Sequence, residues 1–371
     1  MRILAVNWRD MENPEAGGAE VHLHEILSHL SKWGHDVAQI SARFIGGERE
    51  TEIDGIRVMR TGHWFDANFT IPLFARKHLR EHSYDIILED INKIPFFMPL
   101  YTDIPVLPVI PHLFGTTVFR ETNRLIGSYV VMAEKLIPHV YRDNRFMVIS
   151  PSTRKDLTAR GIEPERISVI LCGLDHERFH HADLERFEQP TVVHLGRLRK
   201  YKGVEIALRA VRIARERLPN LRFVIIGDGP YRETLERKTV DLGLEDTVEF
   251  KGYIELDELV DFLNRAHILV NPSPKEGWGL TVVEANACGM PVIASDSPGL
   301  RDSVIHGETG FLVPHGDENS FADRIVELIK DPDLWDQLSG GGIERVKELT
   351  WERCAGETED LIREVLSDTG K

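Results

Sequence analysis

Residues 276–284 read Glu-Gly-Trp-Gly-Leu-Thr-Val-Val-Glu, and the residue types around them set the fold. An apolar run at 268–270 leads in, and a helical pattern starts near Leu280 and runs to the break at Cys288-Gly289. Strand, glycine loop and helix in that order form the unit of a parallel sheet covered by helices. Gly277 and Gly279 let the backbone approach a ligand closely. The first helical N–H groups, around Gly279, Leu280 and Thr281, have no partner inside the helix and point outward, an arrangement that binds phosphate. Glu276 falls on the loop at the carboxyl end of the strand, and Glu284 about one turn inside the helix. Carboxylates beside such a helix start can accept hydrogen bonds from sugar hydroxyls.

A stretch upstream has the same build. Gly196-Arg197-Leu198-Arg199-Lys200-Tyr201-Lys202-Gly203 follows the strand pattern Thr191–Leu195 and opens a helix near Gly203. Arg197 and Lys202 would flank the carboxyl edge of the same sheet, which is where ligands of open α/β sheets bind. Two fixed cations facing a helix N-terminus suit a diphosphate.

The rhythm extends over the whole chain. Strand patterns at 3–6, 37–41, 56–60, 86–88, 106–110 and 146–149 alternate with helical stretches such as 19–32 and 71–82. A second series at 192–195, 223–227, 248–250, 268–270 and 292–295 repeats it. Such alternation predicts an α/β chain with two parallel-sheet, Rossmann-like domains. The expected division is 1–180 for the first and 186–350 for the second, with the polar segment 176–190 as linker.

Composition narrows the function classes. With 45 Lys and Arg against 60 Asp and Glu, the 371-residue chain carries a formal charge of −15, which argues against nucleic acid as a partner. The same balance makes local cations at Arg197 and Lys202 more telling, since an acidic protein that binds an anion needs them. No run of 18 apolar residues occurs, and the short apolar start at residues 3–6 lacks the form of a signal peptide. Cys172, Cys288 and Cys354 are too few and scattered for a disulfide framework or zinc site. A cytoplasmic protein is the expectation. The basic stretch Arg76-Lys77-His78-Leu79-Arg80 reads as an exposed helix face, with peripheral contact to an anionic membrane as the alternative.

Taken together, Gly196-Arg197-Leu198…Lys202-Gly203, Glu276…Glu284, 291–295 and 307–313 resemble the retaining, nucleotide-sugar-dependent glycosyltransferases of family 4. The likeness continues through Gly17-Gly18-Ala19-Glu20, Gly34-His35-Asp36-Val37 and Ser150-Pro151-Ser152-Thr153, and so covers nearly the whole chain. It implies the GT-B fold, two Rossmann-like domains facing a central cleft, with the acceptor on the first and the donor on the second. A final helix within 351–371 would cross back to the first domain. The implied reaction moves a sugar from a nucleotide diphosphate sugar, a UDP-sugar being favoured, to a hydroxyl of a small molecule, glycan or lipid-linked acceptor. Arg197 and Lys202 would stabilise the departing diphosphate, Glu276 would hold the transferred sugar, and Glu284 the ribose. No metal is required, and no cofactor is expected, because the nucleotide sugar is a substrate. Two alternatives share the fold: a nucleotide-sugar-binding protein without transfer activity, and a nucleotide-sugar epimerase.

In the first half, Gly17 and Gly18 lie between the first strand and helix, where a glycine loop can close over the donor phosphate. Glu20 complements the positive helix start. His112 follows the strand at 106–110, and the resemblance implies contact with the donor sugar. Glu89 and Asp90 end the strand at 86–88 and are weighed as an acceptor base or as caps of the following turn. Asp331-Pro332-Asp333 has a metal-like spacing but reads as a turn and helix cap. His176, His180, His181 and Asp183 fall in the expected linker. Gly227-Asp228-Gly229 resembles a dinucleotide fingerprint without its third glycine and reads as a turn beside the nucleotide edge.

Overall fold

Apolar runs of four to seven residues, rich in Val and Ile, become strands buried on both faces, as a helix-covered parallel sheet demands. The computed structural model describes residues 1–369. The chain folds as two units, one of Met1–Gly173 with the final helix from Trp351, the other of Leu174–Thr350.

The first unit holds eight strands: β1 (Arg2–Val6), β2 (Asp36–Ala42), β3 (Glu50–Ile53), β4 (Ile56–Thr61), β5 (Ile86–Asp90), β6 (Val106–Ile110), β7 (Phe146–Val148) and β8 (Ile167–Val169). Their spatial order is β3-β4-β2-β1-β5-β6-β7-β8, and every neighbouring pair is parallel except the β3–β4 hairpin. Leu4, Val6, Ile40, Ile87, Ile110 and Phe146 form the centre of its core. The last helix, Trp351–Thr369, belongs here: Glu359 accepts from His35 at 3.1 Å, and Arg145 reaches Glu364 at 2.9 Å and Asp368 at 3.0 Å. Residues 370 and 371 of the expected 351–371 segment lie outside the described residues.

The second unit holds β9 (Thr191–Leu195), β10 (Arg222–Ile226), β11 (Val248–Gly252), β12 (Ile268–Asn271), β13 (Val292–Ser295) and β14 (Gly310–Val313). All pair in parallel, in the order β11-β10-β9-β12-β13-β14. Val192, Phe223, Ile225, Ile268, Ile293 and Phe321 are among its core residues.

Three details differ from the sequence reading. The first unit ends at Gly173 rather than 180, because residues 174–182 are bonded into the second. The Leu174 amide and the His176 ring both reach the Leu349 carbonyl at 3.0 Å, and the Ala182 amide donates to Asn264 at 2.7 Å. A hairpin, β3–β4, stands where only β4 is expected; Asp54 and Gly55 turn it with φ of 49° and 77°. The helix expected at 71–82 begins earlier, as Ala67–His78.

Each sheet has a place where its winding reverses, between β1 and β5 in the first and between β9 and β12 in the second. Helices diverge there and leave a crevice outside the carboxyl ends of the strands. The loops after β9 and β12 are those that begin at Gly196 and end at Gly279.

Candidate active site

β9 and β12 are hydrogen-bonded neighbours, so the residues just past Leu195 and Asn271 emerge side by side. From the first comes Lys202, on a short 3₁₀ turn, and from the second Glu276; the ammonium donates to Glu276 Oε1 at 2.6 Å. Their side chains are 18% and 13% exposed, so the pair is shielded yet reachable. Burial disfavours the Lys202 charge, but the charges and hydrogen bonds of Glu276 and Tyr201 outweigh it and hold the lysine above its ordinary range. The ammonium has three donors and a carboxylate about four lone-pair sites, so pairing exhausts neither. Arg197 is half-buried on the turn after β9.

Below the pair lies a residue the sequence reading passed over. His194, 1% exposed on β9, bonds through Nδ1 to the Val270 carbonyl at 3.1 Å. Burial pushes its pKa down to about 4, the Val270 bond opposing and the Lys202 charge assisting. The ring is therefore neutral beneath the ion pair. A histidine between Val193 and Leu195 in a buried strand was the available signal.

The helix Leu280–Ala287 starts where the pattern puts it. Gly279 caps it at φ 94°, ψ 61°, a left-handed conformation that disfavours any side chain. Among the described residues, the Leu280 and Thr281 amides have no hydrogen-bond partner. Trp278, 2% exposed, anchors the loop in the core between the two glycines. Support also comes from the loop after β13: Glu276 N–H donates to the Pro298 carbonyl at 3.0 Å, and Ser297 Oγ to the Ser273 carbonyl at 2.8 Å. A Cβ on Gly299 would lie 2.3 Å from the Glu276 carbonyl oxygen. The Pro298-Gly299 pair was visible in the sequence, but nothing there tied it to Glu276.

Glu284 sits on the first turn after this helix start, half-buried, and its carboxylate has no partner among the described residues. Burial alone pushes its pKa up to about 7. An unpartnered, poorly hydrated carboxylate beside open amides is a ready acceptor for hydroxyl groups.

Gly227 explains a motif the sequence left ambiguous. A Cβ there would lie 2.1 Å from the Gly196 carbonyl oxygen, so the glycine permits the loops after β9 and β10 to touch backbone to backbone. This is close packing beside Arg197.

The remaining site residues belong to the first unit. The Gly17 amide is taken by Glu20 at 2.8 Å, and Glu20 also accepts from Asn92 at 3.0 Å, so Glu20 closes the glycine loop. Gly18 is exposed at the first position of helix Gly18–Lys32. His112 is half-buried at the carboxyl end of β6, edge-on to Phe114 at 5.1 Å between ring centres.

Glu89 is not placed as a base. It is fully buried and accepts from the amides of Phe96, Phe97 and Met98 and from Tyr141 Oη at 2.6 Å. Burial raises it to about 7 against the pull of those donors. Asp90 is also fully buried, with neither oxygen bonded, and burial followed by the Glu20 charge holds it well above the usual carboxylate range. Asp331 caps helix Pro332–Val346 by accepting from Leu334 at 3.0 Å. Among the described residues, no group of three or more His, Cys, Asp or Glu is placed to hold a metal ion.

Known families match both halves of the chain. The model for Glycosyltransferase Family 4 matches residues 16–178, and that for Glycosyl transferases group 1 matches residues 175–345. Curated relatives include a D-inositol 3-phosphate glycosyltransferase of Streptomyces bingchenggensis, 31% identical over 56% of this chain and 49% of its own length. A GDP-mannose-dependent alpha-(1-6)-phosphatidylinositol monomannoside mannosyltransferase of Mycobacterium tuberculosis is 34% identical over 52% of this chain and 54% of its own. The chain thus spans about half the length of the curated relatives it matches. Among solved structures, a sucrose-phosphate synthase of Thermosynechococcus elongatus superposes with a TM-score of 0.85 at 23% identity, covering 99% of each chain. Anabaena HepE, solved with UDP-glucose, gives 0.77 at 20% identity over 99% and 100%. Those likenesses establish a GT-B fold with two parallel-sheet domains. With its two halves matched by the two glycosyltransferase models in succession, the chain belongs to the family 4 glycosyltransferases.

Proposed function

We propose that this protein transfers a sugar from a nucleotide diphosphate sugar to a hydroxyl acceptor with retention of configuration. One observation carries the reading: the Lys202–Glu276 pair, the open amides of Leu280 and Thr281, and the unpartnered Glu284 carboxylate all issue from adjoining strand ends at the switch point of the second sheet. Cations and amides suit a diphosphate; carboxylates suit hydroxyls. Lys202 and Arg197 stabilise the charge that builds on the leaving diphosphate, an electrostatic contribution larger in the transition state than in the ground state. With protein cations in that role, transfer does not require a metal. Glu276 orients the sugar, and Glu284 the ribose.

For the donor we keep the UDP-sugar expectation, and the name of the mycobacterial relative adds GDP-mannose to the test. Purified protein is incubated with each nucleotide sugar, with and without a pool of hydroxyl acceptors, and donor and products are followed by NMR. Nucleotide release that rises with acceptor supports the proposal. Binding without release supports a binding protein, and an isomerised donor an epimerase; either result refutes transfer.

Support for peripheral contact with an anionic membrane comes from two helices of the first unit. Leu125, Tyr129, Met132 and Leu136 line one face of helix Arg124–Val140 and are exposed, Leu125 and Met132 by 84% and 66%. Tyr129 touches Asn68 of helix Ala67–His78, which exposes Phe69 and Leu73 ahead of Arg76, Lys77 and Arg80. An apolar face beside basic residues suits the surface of an anionic bilayer. Among the described residues no helix is long and apolar enough to cross one.

A further inference from the structure

The first sheet has its own crevice, and its lining has a definite chemistry. A cavity of about 220 Å³ is lined by Trp8, Arg9, Ala42, Arg43, Trp64 and Lys93, with Asn13 at its side. These residues come from the carboxyl ends of four adjacent strands. Trp8 and Arg9 follow β1, Arg43 follows β2, Trp64 follows β4 and Lys93 follows β5. The cavity therefore straddles the β1/β5 reversal, where an open α/β sheet binds ligands.

Three cations gather here on a chain whose net charge is −15. Each is positioned. Arg9 is tied to Glu15 through the carbonyl at 2.7 Å and the carboxylate; Arg43 Nε donates to the Gly62 carbonyl at 3.0 Å; and the Lys93 ammonium lies 5.4 Å from the Trp8 ring centre. Trp8 is fixed by its Nε1–H bond to the Ile94 carbonyl at 2.9 Å, whereas Trp64 is 75% exposed. One neighbouring acid opposes the cluster directly and two are engaged by other groups. Glu15 pairs with Arg9, Asp10 with Arg60 and Ser41, and Asp66 with the His63 amide. A cluster of Arg and Lys raises the local concentration of anions even with Glu15 beside Arg9, and Arg matches phosphate geometry in particular. Indole faces offer an apolar surface to the C–H side of a sugar or polyol. The volume falls below the roughly 300 Å³ at which drug-sized ligands begin, so the occupant is a single small unit.

From this we infer that the acceptor is a phosphorylated sugar or polyol, whose phosphate is held by Arg9, Arg43 and Lys93 and whose ring or chain lies against Trp8 and Trp64. The inference rests on the transferase reading for the word acceptor, but the binding it asserts can be measured without a donor.

The full chain is titrated with glucose 6-phosphate, glycerol 3-phosphate, inorganic phosphate, glucose and glucuronate, following indole fluorescence and heat. A second arm presents phosphatidylglycerol in phosphatidylcholine vesicles, against phosphatidylcholine alone, and so separates a lipid headgroup from a free phosphate. Expected is saturable binding of a phosphorylated polyol in one arm, absent for glucose and weakened at least tenfold in both Arg43→Ala and Lys93→Met. Arg43→Lys should keep more affinity than Arg43→Ala, and Trp64→Ala should abolish most of the fluorescence change. Thermal shift by nucleotide sugar, read on the second unit, reports separately on the donor site and on folding of each variant. The inference is overturned if glucose, glucuronate or inorganic phosphate binds as well as the sugar phosphate. It is equally overturned if no probe binds in either arm, or if the Arg43 and Lys93 variants bind unchanged. None of these outcomes alters the donor result, so failure here and failure of the transferase reading are told apart.

Discussion

Glu284 is the residue whose state is most open to measurement. Its carboxyl is raised to about 7 by burial, and hydrogen bonds from ribose hydroxyls favour the ionised form. On the proposed ribose role, donor binding must then release the proton below pH 7. Affinity for a nucleotide sugar should tighten about tenfold from pH 6 to pH 8, since a free-state pKa near 7 makes the ionised fraction change by that factor. Calorimetry across that range checks it, and a flat profile in wild type, or the same slope in Glu284→Gln, would contradict it. Lys202 gives a second prediction. Truncation at Lys202 removes the ion-pair partner of Glu276, whose side chain is 13% exposed. Lys202→Ala should therefore cost about 1–3 kcal/mol of stability, as loss of a hydrogen bond to a shielded charged group does, besides lowering turnover at least a hundredfold. Denaturant midpoints and donor turnover measure the two effects; wild-type turnover in that variant contradicts its role at the leaving group.

At the scale of elements, the site depends on how three loops lean on one another. Gly299 has φ 83°, and a Cβ there would lie 2.3 Å from the Glu276 carbonyl oxygen. Gly299→Ala should destabilise by about 1–3 kcal/mol through forced backbone strain and displace Glu276, so turnover falls with nucleotide affinity less affected. Wild-type stability and turnover in Gly299→Ala would show that the loop is not so held. This dependence was hidden in the sequence, because a clash between residues 276 and 299 exists only after β12 and β13 pair. By contrast, the helix at Leu280 and its left-handed Gly279 were legible, since strand, glycine and apolar periodicity are local signals. Short edge elements were harder. β3 carries Glu50, Thr51 and Glu52, too polar to stand out, although Asp54-Gly55 is a strong hairpin signal. β8 has only three residues. Glu89 and Asp90 could be placed at a strand end from sequence, but the three amides and Tyr141 that engage Glu89 come from positions 96–98 and 141.

Across the whole molecule, burial leaves a pH signature. Glu89 and Glu284 bind a proton more tightly folded than unfolded, with folded pKa values of about 7, and Asp90 is likewise held well above the usual carboxylate range. Such groups contribute stability below their unfolded pKa that is lost as pH rises through the folded one. His22, His194 and His267, each lowered to about 4 by burial, act in the opposite sense and destabilise the fold as pH falls below about 6.5. Between about pH 4.5 and 6.5 the two sets offset each other. Above it the histidines are neutral in both states and only the carboxyls differ, so the urea midpoint should fall from pH 6.5 to pH 8. A midpoint that rises over that interval would contradict the assignment of buried, protonated carboxyls. On the proposed roles of Arg197 and Lys202 at the diphosphate, turnover is expected to survive a chelator; loss restored by magnesium or manganese would overturn that.

The central claim is that the second unit reads a nucleotide sugar through Glu284 and the helix start beside it. Affinities of wild type and Glu284→Ala for the nucleotide sugar and for its 2′-deoxyribose analogue form a cycle that isolates the contact. A hydrogen bond to a charged acceptor contributes roughly 1.5–3 kcal/mol. Wild type should therefore bind the deoxy analogue about ten- to a hundredfold more weakly, while Glu284→Ala should show little further loss on that change. Losses that simply add would mean that Glu284 does not hold the ribose.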